Sequence, residues 1–118
     1  MKENKLLNLS QSFAVSVIDV TNLLKSIGHK DIADQLLRSG TSISANIAEG
    51  NHPQSRADMV SKFEIALKEA NEAENWLAIC KDALLLDVEL FHTLHKQLIQ
   101  IKILLISSIK TLKNSPKN

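Results

Sequence analysis

A chain of 118 residues with 44% apolar residues, 3% aromatics and no tyrosine has material for one aliphatic core in one domain. Three glycines and two prolines are too few for a turn-rich β fold and point to long helices. A formal net charge of +1 gives no nucleic-acid signal by itself, the single Cys80 excludes an intrachain disulfide, and no apolar run reaches the ~18 residues of a membrane span.

The first helix is predicted over about 4–27. Met1 to Asn4 lead into an amphipathic pattern rather than a signal-peptide core, so a reducing cytoplasm is the expected location. Leu6, Phe13, Val17, Val20, Leu24 and Ile27 recur at heptad-type spacing, and Gly28 follows as a C′ stop.

The second helix is predicted over 30–49, with Asp31 favouring the dipole of its first turn. It has two unusual faces. Leu36, Gly40, Ile43 and Ile47 form the apolar one. Gly40 interrupts it at a cost of ~1 kcal/mol relative to Ala, so a neighbouring backbone is expected to come close. The opposite face carries Gln35, Arg38, Ser42, Asn46 and Glu49 instead of interchangeable Lys and Glu. Such groups suit fixed hydrogen bonds. Gly50 ends the helix, and Asn51 to Gln54 form a turn in which Pro53 bars continuation.

The third helix is predicted over 55–85, with Ser55 and Asp58 as a capping box. Its seam is Met59, Phe63, Ala66, Ala70, Ala73, Leu77, Cys80 and Leu84; the central alanines mark a thin point where another helix packs close. Asp87 is the N-cap of a fourth helix over 88–112. Phe91, Leu94, Leu98, Ile101, Leu105 and Leu112 make its main stripe. Ile99, Ile103, Leu104, Ile106 and Ile109 add apolar surface off that stripe. Residues 114–118 read as a disordered tail.

Four long helices with short connections predict an all-α, antiparallel up-down-up-down four-helix bundle. The fourth helix is too apolar around its circumference for one buried face, which predicts a homo-oligomer. Trp76, on a flank with Ile65, Glu69 and Glu72, is an expected interface anchor; the alternative is that it caps one end of the core.

Arg38, Ser39, Ser42, Asn46, Ile47, Ala48, Glu49 and Gly50 form the pattern R-S-x-x-S-x-x-x-N-I-A-E-G. It resembles the bacterial four-helix-bundle family named for proteins encoded in intervening sequences of 23S ribosomal RNA genes. That family also includes the accessory protein of diversity-generating retroelements. The similarity continues through Phe63, Ile65 to Ala70, Glu74, Trp76 and Leu77. Gly40 departs from the small residue, such as Ala, expected there. The resemblance implies a homopentameric barrel and strengthens an expectation of nucleic-acid contact.

Catalytic chemistry finds no support. Glu89-x-x-His92 has di-iron spacing, but the seams of the first and third helices supply no carboxylate, so no metal and no cofactor are expected. His92 and His95 with Lys96 could touch phosphate or zinc, or only solvent. Cys80 sits on an apolar seam, and neither Arg38 nor Arg56 is followed by His at ribonuclease spacing.

Charge distribution says more than net charge. After Glu89 there is no acidic residue, while Lys96, Lys102, Lys110, Lys113 and Lys117 follow. The segment from Arg56 to Glu89 holds eight acidic against four basic residues, so the two offset each other in the sum. A non-enzymatic nucleic-acid or nucleoprotein accessory factor would use Arg38, Arg56, Lys96, Lys102 and Lys110. The competing reading is a protein–protein adaptor in which the lysines only solvate the oligomer. For the polar row two readings stay open: Arg38 grips a phosphate or carboxylate beside Ser42 and Asn46, or it pairs with a glutamate of the third helix or of a neighbouring subunit while Asn46 and Glu49 fix the following turn.

Overall fold

The computed structural model describes residues 2–115, with side chains from Lys5 onward. Its helices are α1 (Lys2–Ser26), α2 (Lys30–Gly50), α3 (Arg56–Asp82) and α4 (Val88–Asn114), and no strand occurs among the described residues. Each helix packs on its chain neighbour, and α4 closes back on α1. The ion pairs fix the directions. Lys25 meets Asp34, Arg38 meets Glu69 and Glu72, Glu49 meets Lys62, Glu74 meets Lys102, and Glu64 meets Lys113. In each helix pair the early residues of one lie beside the late residues of the other, so consecutive helices are antiparallel. The bundle is 53 Å long and 22 Å across in both other directions, about two helix diameters.

The heptad seams become the core. Phe13, Val17, Leu24, Leu36, Ile43, Ile47, Leu77, Leu98, Ile101 and Leu105 are fully buried. Ser10 and Thr21 also lie on the buried face of α1, where their hydroxyls donate to the Leu7 and Ile18 carbonyls at 2.8 and 3.0 Å. Those local bonds let two polar residues enter an aliphatic core without orphaned donors. Ala66, Ala70 and Ala73 are buried and thin the centre of α3 as their size requires. Close approach also occurs at Gly40, but the neighbour is a side chain rather than a backbone. A Cβ there would sit 2.8 Å from both γ-methyls of Val17 on α1.

Three helix ends differ from the sequence expectation. α1 stops at Ser26 in a Schellman turn: the His29 amide donates to Leu24 O, the Gly28 amide to Lys25 O, and Gly28 takes φ +91°. Ile27 thus leaves the seam and is 51% exposed. α3 ends three residues early by the same device, with the Leu85 amide on Cys80 O and the Leu84 amide on Lys81 O. Here the left-handed position belongs to Leu84, at φ 61° and 89% exposed, not to the seam; Leu86 fills the core instead. α4 runs on through Asn114, so the expected tail begins too soon. Ser115 caps the helix, its hydroxyl donating to Thr111 O at 2.7 Å, and residues 116–118 lie outside the described ones. Ile109, not Leu112, completes the buried stripe.

Leu84 combines left-handed strain with solvent exposure, so glycine loses nothing there. Leu84→Gly should raise stability by about 0.5–1 kcal/mol in urea denaturation, since relief of strain outweighs the added freedom of the unfolded chain.

Ser55 caps α3 by accepting from the Asp58 amide at 3.0 Å. The reciprocal bond of the box is displaced by one residue: Asp58 accepts from the Gln54 amide. Asp87 caps α4 through the Leu90 amide.

Candidate functional site

The polar row of α2 is built mainly from bonds to its own backbone. The Ser42 hydroxyl donates to Arg38 O at 2.6 Å, and Asn46 Nδ2 donates to Ser42 O at 2.8 Å. Ser39, Thr41 and Ser44 bond back along the helix in the same way. Asn46 therefore does not brace the turn after Gly50. Glu49 assists it through its backbone, whose carbonyl accepts from the His52 amide, while its carboxylate reaches Lys62 at 3.3 Å. Gln35 lies exposed at the head of the row.

Arg38, like Glu49, reaches out of the helix. It donates to Glu69 at 3.2 Å and to Glu72, both on α3. Trp76 Nε1 donates to the same Glu72 carboxylate at 3.2 Å. Arg38, then Trp76, hold the Glu72 carboxyl below the usual carboxylate range. Trp76 is half-buried beside this cluster on the α2–α3 flank.

A second cluster joins α3 to α4. Glu74 accepts from Lys102 Nζ at 2.7 Å and lies 2.8 Å from His95 Nε2; the His95 ring stacks on Phe91. The Lys102 ammonium, helped by His95, holds the Glu74 carboxyl low against the opposing effect of burial. Carboxylates lowered by native partners stabilise the fold above the ordinary glutamate range. That contribution disappears as pH falls through ~4.3 and below. The urea midpoint should drop across this window. Glu74→Gln should lower the midpoint at neutral pH and flatten part of the acid drop.

The five cations expected to contact nucleic acid do not gather into one strip. Arg38 and Lys102 are held by glutamates, Arg56 donates to Ser115 O at 2.9 Å, and Lys113 reaches Glu64 at 2.8 Å. Lys96 and Lys110 are exposed on α4 and make no ion pair among the described residues. The acidic α3 is thus the direct counterpart of the basic α4. Among the described residues no three metal-ligating side chains gather, and Glu89 and His92 are both exposed. Burial pushes the Cys80 thiol up, away from reactivity. No helix among the described residues is long and apolar enough to cross a membrane.

Two unlike strips stand out among the exposed apolar residues, while Leu23, Ile27, Ile65, Ile79, Leu84 and Val88 are exposed elsewhere. On α4, Ile103 (60% exposed) and Ile106 stand out, with Ile99 half-buried beside them. His92, Lys96, Ile99, Ile103, Ile106, Lys110 and Lys113 recur in alternating steps of four and three, a second heptad seam on the outside. This seam was legible in the sequence as a repeat, behind the stronger core stripe. Lys113 reaches α3, so Ile106, one heptad earlier, lies on the α3 side. On α1, Val15 (59% exposed) and Ile18 make the other strip. Ile18 lies one heptad before Lys25, which reaches Asp34 of α2, so this strip lies on the α2 side. Ile18 and Ile106 thus lie on opposite faces of the bundle.

The fold and these surfaces define a small all-helical bundle with ion-paired seams. The chain belongs to the 23S rRNA-intervening sequence protein family, which it matches over residues 2–107. A similar solved structure is a protein with unknown function from the S23 ribosomal protein family of Bacteroides thetaiotaomicron. It is 41% identical, spans 94% of this chain and 100% of its own, and superposes with a TM-score of 0.90. A comparison with curated proteins finds no match.

Proposed function

We propose that this chain is a non-enzymatic cytoplasmic protein that assembles into a ring and serves as an accessory factor to RNA, DNA or a nucleoprotein. The observation that supports this is the pair of unlike apolar strips whose Ile18 and Ile106 lie on opposite faces. Unlike surfaces join head to tail, and such contacts close into rings when the rotation permits. Family resemblance suggests five copies. Each copy carries a weak basic surface at Lys96 and Lys110, which flank the apolar centre of the α4 strip and form a polar rim to the contact, and symmetry multiplies it. Family membership supports the nucleic-acid side of this reading; Arg38, Arg56 and Lys102 are engaged within the bundle and contribute less than the sequence suggests.

Anisotropy of a labelled structured RNA should report binding that weakens steeply with salt as counterions are released. Lys96→Glu/Lys110→Glu should weaken it at least about tenfold at low salt. Arg38→Ala should leave RNA affinity unchanged and lower stability. No binding at low salt, or a flat salt response, refutes the nucleic-acid reading. The adaptor reading would then stand. It is favoured by the capture of Arg38 and Lys102 in internal ion pairs, which leaves few cations for phosphate.

A further inference from the structure

The α1–α4 seam is the least tightly closed of the four. The Gln97 side-chain oxygen, on α4, is buried without a hydrogen-bond partner among the described residues. A shallow cleft of about 150 Å³ opens between Val20 and Leu23 of α1 and Leu90 and Leu94 of α4. At the other end of the bundle the same seam widens into a groove of about 370 Å³. That is within the size range of small-ligand pockets, ~300–1,000 Å³.

The groove has two chemical halves. Leu6, Met59, Phe63, Leu104 and Leu112 supply an apolar floor. Lys5, Asn51, Ser107, Ser108 and Thr111 supply the polar lining, with no acidic residue among them. Hydroxyls elsewhere in these helices commonly bond to their own backbone, as at Ser39, Thr41 and Ser42. Those of Ser107, Ser108 and Thr111 make no such bond among the described residues, and Lys5 makes no ion pair there. The groove therefore offers one cation and several uncommitted donors around a greasy floor. A neutral apolar molecule would leave these groups unused, and a cation would be repelled by Lys5.

We propose that this groove binds a small anionic amphiphile, a medium-chain carboxylate in chemical class. The acyl chain lies on Phe63, Met59 and Leu104, and the carboxylate accepts from Lys5 and the α4 hydroxyls. The groove opens on the α1 side of α4, whereas the outer strip lies on its α3 side; Ser107 and Thr111 adjoin Ile103 and Lys110 at the border, so binding is read on the groove's own Met59.

Met59 is one of two methionines in the chain, which makes its methyl group a specific reporter. The full-length protein, labelled with [methyl-13C]methionine, is titrated with octanoate, 1-octanol and acetate. Octanoate should shift the Met59 resonance saturably, with a dissociation constant on the order of 1 mM or below. Acetate should not shift it. Lys5→Gln should weaken octanoate binding roughly threefold to tenfold and leave 1-octanol unchanged, because only the charged head meets the ammonium. Ser108→Phe, which fills the groove, should abolish the octanoate shift, with helicity by circular dichroism confirming its fold. A non-saturating shift overturns the proposal, as does equal binding of octanoate and 1-octanol that ignores Lys5→Gln. Lys5 is exposed, so the Lys5→Gln comparison decides the matter even if Ser108→Phe does not fold.

Discussion

Ile103→Glu/Ile106→Glu should break the proposed ring into a monomer of 13.1 kDa by light scattering at micromolar concentration. The physical reason is area. Ile103 and Ile106 are at least half exposed in the single chain, as is Val15, with Ile18 only slightly less so. Covering each removes apolar surface from water for about 1 kcal/mol, and a carboxylate in the same place must be stripped of water with no partner to receive it. Val15→Glu/Ile18→Glu should dissociate the ring equally, because each contact uses one strip from either kind. Mixing the two variants then distinguishes the geometries. Each retains one intact strip, and the two intact strips are complementary, so the mixture should form a capped dimer of twice the single-chain mass. A contact between identical strips predicts a different result: one variant stays assembled alone, and mixing adds nothing. A wild-type chain that is already monomeric would remove the ring altogether.

Gly40→Ala should destabilise the bundle by about 1–2 kcal/mol, against the usual gain of ~1 kcal/mol for removing a helical glycine. The sign is decided by Val17. Both of its γ-methyls would lie 2.8 Å from the new Cβ, and its own Cβ 3.2 Å away. Val17 is fully buried and branched at Cβ, so it has neither room nor an easy rotamer in which to retreat. Overpacking of this kind typically costs about 1–3 kcal/mol and is added to a site already at native density. Val17→Ala alone should also destabilise, by about 2–3 kcal/mol, through the cavity it leaves. In the double variant the alanine methyl occupies part of that cavity, so the combined loss should be smaller than the sum by at least about 1 kcal/mol. Additive losses in chemical denaturation would show that the two residues do not compete for one space.

The core was readable because three seams keep a period near 3.5 over twenty residues or more and the α2 seam keeps it from Leu36 to Ile47, and the structure buries most of their members. The misses have physical causes. Leu84 carries no sequence signal of a helix stop, since a left-handed leucine is rare; Gly28, in the equivalent turn, announces itself. Gly40 revealed a close approach but not that valine methyls make it. Arg38 was open to a glutamate of the third helix, and it finds two there; that these are Glu69 and Glu72, 31 and 34 residues away, is set by the α2–α3 register and not by spacing. The segregation of acids before Glu89 from lysines after it looked like an external binding surface. Half of its meaning is internal, because Glu64 and Glu74 face Lys113 and Lys102 across one seam. Hydrogen bonds from Ser42 and Asn46 to carbonyls one turn back are invisible to spacing arguments, since every helix offers such acceptors.

Cys80 has a consequence for watching this molecule breathe. Its sulfur is sealed in the core, and its carbonyl accepts the amide that finishes the α3 Schellman turn. An alkylating reagent can therefore reach the thiol only when that corner comes apart, so the labelling rate in native buffer counts openings rather than collisions. Because the chain has a single cysteine, the mass added per chain is all or none, and the denaturant dependence of the rate separates fraying of the α3 tip from unfolding of the whole bundle.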